Sequence, residues 1–195
     1  ALAGCQELVG EMVGARPEQK KPFTITMVGK SSTNPVFLSA RAGAEAAAKN
    51  ASEKHRALDV KIDWRTPRYE DAGEQAQRIL SAVSDGTNAI VVYCSNEETL
   101  TRAIDEAVDR GVPVMTFDSD APRSKRFAFY GPDDLEIGER VMDELATLMN
   151  RKGQVAVLAG NQSAPNLQRR VEGVKKAALK YPDMEIVGVV YHLET

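Results

Sequence analysis

The chain has 195 residues, 43% of them apolar and 27% charged, with a formal net charge of −3 and two cysteines. That is ordinary globular material, long enough for one large or two small domains around a real core. No basic block marks a nucleic-acid partner, no acidic tail suggests a solvating segment, and no apolar run of roughly eighteen residues offers a membrane span.

Residues 1–21, with Arg16-Pro17 and Lys20-Lys21, read as an N-terminal tether. Phe23-Thr-Ile-Thr-Met-Val-Gly29 alternates and then runs apolar, as a buried strand does. Lys30-Ser-Ser-Thr33 is a polar loop. Asn34-Pro35 then starts a helix, Asn as N-cap and Pro in the first turn, where its missing N–H has no partner to lose. Phe37, Ala40, Ala44, Ala47 and Ala51 form its predicted sheet-facing stripe.

Leu58-Asp-Val-Lys-Ile-Asp-Trp64 alternates as a strand at or near an edge, and residues 69–84 carry a helical stripe that ends at Asp85-Gly86. Ala89-Ile-Val-Val-Tyr93 is wholly apolar, as a strand covered on both faces should be. Cys94 ends it and reads as a buried thiol. Ser95-Asn-Glu-Glu98 is a capping box for the next helix, which Gly111 stops. Val114-Met-Thr-Phe117 is a further buried strand delivering Asp118-Ser119-Asp120, and residues 127–130 are a fifth, short one.

Gly131-Pro132 breaks the pattern. Asp133 to Glu136 then caps a helix with a predicted stripe of Ile137, Val141, Leu145, Leu148 and Met149. Residues 154–158 are a strand, 166–180 a helix and 185–191 the last strand. Strict βα alternation with short connections predicts an α/β fold of two Rossmann-like lobes with parallel sheets. The lobes span residues 22–131 and 132–195. Two strands make an incomplete second lobe, so further chain is expected beyond Thr195.

Catalytic motifs are weak. Gly29-Lys30-Ser31 lacks the preceding glycine of a phosphate loop, since position 24 is Thr, and no G-x-G-x-x-G follows the first strand. His55 and His192 stand alone, so neither a metal site nor a nucleophile–base pair is suggested. What stands out is a set of polar groups at strand carboxyl ends, where open α/β sheets bind ligands. Lys30 and Asn34 follow the first strand, Tyr93 ends the third, and Asp118 and Ser119 follow the fourth. Arg170 sits one turn into the last helix. Carboxylate, amide and guanidinium groups can each hold vicinal hydroxyls in a bidentate way, and aromatic rings such as Phe37 or Tyr93 can cover the apolar face of a sugar.

Asn34-Pro35-x-Phe37, Gly43-Ala-Glu-Ala-Ala47, Gly111-Val-Pro-Val-Met-Thr-Phe-Asp118 and Asn166-Leu-x-x-Arg170-x-x-Gly173 resemble the ribose-binding-protein-like substrate-binding proteins of sugar ABC transporters, which have the type I periplasmic binding fold. The resemblance runs from residue 23 to 195. It implies a non-enzymatic, extracytoplasmic receptor, without cofactor, metal or nucleic-acid partner, that delivers a monosaccharide or related polyol to a membrane permease. Asn34 would bond sugar hydroxyls, Phe37 stack on the ring, Asp118 take two hydroxyls, and Arg170 reach in from the second lobe. Tyr93 stands where the family often has an Asn. Val36 replaces an aromatic often found before Phe37. Ser119 replaces the Arg that follows the Asp in ribose binders, which points away from ribose itself. Lys30 with Asp118-Ser-Asp120 looks like a branch that includes autoinducer-2 and rhamnose binders. A sensory receptor subunit and the effector domain of a lac-repressor-type regulator share the fold; the regulator would need a helix-turn-helix, whose pattern residues 1–21 lack.

Leu2-Ala3-Gly4-Cys5 matches the lipobox of bacterial lipoproteins, which implies lipidation of Cys5, removal of residues 1–4 on processing, and contact with a membrane through that anchor alone.

Overall fold

The computed structural model describes residues 20–192. Its first sheet has five strands in the order β2-β1-β3-β4-β5, all parallel: β1 (Lys21–Val28), β2 (Leu58–Trp64), β3 (Ala89–Val92), β4 (Val114–Phe117) and β5 (Ala128–Tyr130). The strand β2 lies at the edge, as its alternation predicts. Parallel neighbours need crossovers, and helices α1 (Pro35–Lys54), α2 (Ala72–Ser84) and α3 (Glu97–Asp109) supply them. The order reverses between β1 and β3, so the loops after these two strands diverge to opposite faces and leave a crevice between them.

The core of this sheet is Val28, Ile90, Val92 and Val114 against Ile79, Leu100 and Ile104 of α2 and α3. On α1 the buried positions are Phe37 and Ala48, with Ala47 exposed, so the stripe turns one residue from the predicted course after Ala44. Asn34 caps α1 as expected, its Oδ1 accepting from Val36 N–H at 2.9 Å. Helix α2 begins at Ala72, not at residue 69, because the Asp71 carboxylate takes the first-turn amide of Glu74 at 2.8 Å. For α3 the cap is Asn96, which accepts from Thr99 N–H, one residue past the predicted Ser95. Gly111 stops α3 as predicted, with φ of +85° that a side chain would resist.

The second sheet pairs β6 (Gly153–Ala159) with β7 (Met184–Tyr191) in parallel. Helices α4 (Asp134–Leu148) and α5 (Pro165–Ala178) cover one face, around Met142, Ala146, Val155, Ala177 and Met184. Here the sequence expectation needs correction. The buried face of α4 is Asp134, Gly138, Met142 and Ala146, whereas Val141 and Leu148 of the predicted stripe are 57% and 80% exposed. The reason is a close helix crossing. A Cβ on Gly138 would collide with the Arg170 carbonyl, and one on Gly173 with the Leu135 carbonyl. The face that packs runs through Gly138, Met142 and Ala146, with Leu145 and Met149 of the predicted stripe at its border.

Candidate functional site

Gln75, fully buried on α2, spans the crevice. Its Nε2 donates to the carbonyls of Gly29 at 2.9 Å and Tyr93 at 2.8 Å, tying the ends of β1 and β3 together. The loop after β1 is held equally firmly. Gly29 N–H donates to Thr66 Oγ1 at 2.7 Å, Ser31 Oγ to the Arg68 carbonyl at 2.7 Å, and Ser32 N–H to the Pro67 carbonyl at 2.7 Å.

Above this braced edge lies a cavity of about 230 Å³ between the two sheets. Six residues singled out in the sequence line it: Lys30, Asn34, Phe37, Tyr93, Asp118 and Arg170. The structure adds Val36, Asn166 and Leu167. The seventh, Ser119, is not among the lining residues: it is fully buried and its hydroxyl donates to the Cys94 carbonyl at 2.7 Å. A larger hollow of about 630 Å³ adjoins, sharing Asn166, with Glu97, Asp120, Asp133, Asp134 and Arg169 on its walls.

Two of the lining residues, Phe37 and Tyr93, belong to an aromatic cluster. Phe37, Tyr93 and Phe117 meet edge to face, with centroids 5.1 Å apart for Phe37–Tyr93, 6.3 Å for Phe37–Phe117 and 6.5 Å for Tyr93–Phe117. Phe117, a strand residue with no polar flag, was invisible as part of this cluster. Asp118 leaves β4 with φ of 59°, a left-handed conformation that Asp tolerates better than most side chains. Its N–H donates to the Tyr130 carbonyl at 3.0 Å, which fixes the turn.

Each cation of the cavity is matched by a carboxylate on its own side. Lys30, 2% exposed, has its Nζ 3.3 Å from Glu70 Oε2. Arg170 Nε donates to Asp134 Oδ1 at 2.7 Å. Burial pushes the Asp134 carboxyl above its ordinary value, and the Arg170 hydrogen bond and charge pull it back only in part. Glu70 and Asp134 carry no signal beyond a loop acid and a helix-start acid, and only the tertiary structure couples them to Lys30 and Arg170. Tyr93 and Asn166 meet across the cleft, the phenol donating to Oδ1 at 3.2 Å.

The thiol of the buried Cys94 is pushed up to about 12, by burial first and by the charges of Glu97 and Asp120 next. Among the described residues, no group of three or more His, Cys, Asp or Glu side chains could hold a metal ion, and no helix is long and apolar enough to cross a membrane. Cys5 and its lipobox lie outside the described residues.

The chain is similar to the ribose import binding protein RbsB of Bacillus subtilis, at 26% identity over 159 residues, 82% of this chain and 50% of that protein. It is 26% identical over 171 residues to a D-ribose/D-allose-binding protein of Pseudomonas aeruginosa, covering 85% of this chain and 52% of that one. A crystal structure of an ABC transporter solute-binding protein from Burkholderia graminis, in complex with D-arabinose, superposes with a TM-score of 0.78 at 27% identity, over 87% of this chain and 56% of that one. The chain thus spans about half the length of these relatives. With residues 25–195 matching the family model described as a periplasmic binding protein domain, on a parallel α/β fold shared with sugar-binding structures, this chain belongs to the periplasmic binding protein family.

Proposed function

We propose that this chain is part of an extracytoplasmic solute-binding protein that takes a monosaccharide or related polyol into the cavity between its two sheets and delivers it to the permease of an ABC transporter. Residues 22–131 and 132–195 act as two lobes. Ligand bridges them and selects the closed form through contacts that the open form lacks, and the permease reads the closed shape. The observation that carries this reading is the convergence of Asp118, Arg170, Asn34 and Phe37, far apart in sequence, on one cavity. The relatives' named ligands, ribose, allose and arabinose, support the ligand class.

In this reading Asp118 accepts two vicinal hydroxyls, and Arg170, whose Nε is engaged by Asp134, donates from its terminal nitrogens. Asn34, whose Oδ1 serves as the helix cap, offers its amide N–H groups. Phe37 and Tyr93 cover the C–H face of the ligand. Ser119 shapes the turn behind Asp118 through its bond to Cys94. The protein binds without turnover, and Cys5 carries a lipid anchor. The buried Lys30 in the cavity wall favours a second reading within the same class, an autoinducer-2 or rhamnose-type ligand.

A thermal-shift screen of monosaccharides, polyols and autoinducer-2 tests the ligand class, because stabilisation grows with ligand excess over its dissociation constant. A rise in melting temperature with at least one of these is expected. A response to nucleotides or amino acids instead overturns the assignment. For the anchor, mass spectrometry of the protein expressed with its own leader should show a diacylglycerol adduct at Cys5, and an unmodified thiol refutes it.

A further inference from the structure

The cavity holds a charge arrangement that says more about its ligand than hydroxyl recognition does. Glu70 lies in the segment before α2, outside the cavity wall. Its side chain is 7% exposed, Oε2 is 3.3 Å from Lys30 Nζ, and Oε1 is buried without a hydrogen-bond partner. The segment bearing it is stitched to the Lys30 loop by the bonds from Gly29, Ser31 and Ser32, with Thr33 Oγ1 adding a further donation to the Arg68 carbonyl at 3.2 Å. That stitching holds the backbone leading into Glu70 beside the Lys30 loop. A buried carboxylate with one oxygen unsatisfied costs stability.

Counted over the cavity and the partners of its lining groups, two cations, Lys30 and Arg170, face three carboxylates, Glu70, Asp134 and Asp118. On the same count the adjoining hollow is balanced, with Glu97, Asp120 and Asp133 against Arg169 and the paired Arg123 and Arg126, so the approach adds no positive surplus among the described residues. An anion that reaches Lys30 or Arg170 meets the carboxylate already paired with that cation and the negative charge of Asp118.

We infer that Glu70 is a positioning residue that fixes and neutralises Lys30, and that the site thereby selects uncharged polyhydroxylated ligands over their carboxylate-bearing counterparts. The inference rests on the sugar-binding reading above and narrows it. Lys30, held by Glu70, serves as a hydrogen-bond donor to hydroxyls and not as an anion hook.

The test uses matched pairs, each titrated calorimetrically: the neutral sugar that responds in the thermal-shift screen and its uronate, D-glucose and D-glucuronate, and D-galactose and D-galacturonate. In the wild type, a neutral member binds and its acid binds roughly tenfold or more weakly. Glu70→Gln narrows that gap by a similar factor, because one negative charge beside Lys30 is gone. The double variant Lys30→Met/Glu70→Gln removes both charges, leaves the balance unaltered and keeps the gap, which gives a readout if the single variant does not fold. A wild type that binds an acid as well as its neutral partner overturns the inference while leaving the sugar-binding reading intact. So does a folded Glu70→Gln that weakens both members equally, which is what a purely structural role produces, and so does a double variant in which the gap closes. If no sugar or polyol responds in the thermal-shift screen and no member of any pair binds, the sugar-binding reading falls and this inference with it.

Discussion

The Tyr93 phenol donates to Asn166 Oδ1 at 3.2 Å, joining the end of β3 to the first turn of α5. Both residues are almost wholly buried, and Asn166 Oδ1 also accepts from Leu167 N–H at 2.9 Å. The two sheets therefore touch through a polar contact inside the cavity itself, where an Asn at position 93 would be too short to reach in the same way. Tyr93→Phe removes this bond and keeps the aromatic cluster. Since Asn166 retains its local donor, the expected loss is about 1 kcal/mol, read as a fivefold to tenfold weaker ligand affinity with little change in melting temperature. An unchanged dissociation constant shows that the contact plays no part in closure.

Asp118 is better tested as Asn than as Ala. Its φ of 59° is tolerated by Asn, while Ala there adds about 1 kcal/mol of strain that confuses loss of binding with loss of stability. Asp118→Asn should lower affinity by roughly 100-fold or more, as two charge-assisted bonds become neutral ones, and leave the melting temperature within about 2 °C. Calorimetric titration beside thermal melting of the same sample checks both halves. Retained affinity removes Asp118 from the site.

Gly138→Ala places a methyl group against the Arg170 carbonyl, where helices α4 and α5 cross. Backbone cannot yield as a flexible side chain does, so about 1–3 kcal/mol of destabilisation is expected. Because the displaced segment carries Arg170, ligand affinity should fall with it. Chemical denaturation and a binding isotherm measure the two effects, and a variant with wild-type stability would mean that the crossing is looser than the structure has it.

The Asp134 carboxyl, raised by burial, gives affinity a pH dependence. As pH falls, the folded protein takes up this proton before the unfolded chain does, so the cost of keeping the buried carboxylate ionised, present at neutral pH, is relieved by acid. Stability is helped, but the tether on Arg170 is lost. Affinity should therefore decline at a pH above the ordinary aspartate range, and Asp134→Asn should bind more weakly at neutral pH and lose that upper part of the acid decline. Dissociation constants between pH 7 and 4 for both proteins decide it; identical profiles exclude the role.

Much of this protein could be read from the string. Alternation and apolar runs located all seven strands, and Asn34, Asp133 and Gly111 marked helix ends, because these signals depend on chemistry a few residues apart. Six of the seven residues singled out line one cavity. Order along the chain places Lys30, Asn34, Tyr93 and Asp118 on one sheet edge, whereas Arg170 comes from a helix of the other sheet and meets them only in the folded chain. The packing face of α4 is rotated from the predicted stripe because Gly138, at the close crossing with α5, has no hydrophobic signal to mark it. Glu70, Asp134, Phe117 and Asn166 escaped because their roles come from partners as much as 73 residues away. Order along the chain determined which edge can hold a ligand. Which charges cancel there, and how far the two sheets stand apart, was decided by contacts that exist only once the chain has folded, because Coulomb and packing energies depend on distances in space and not on separation in sequence.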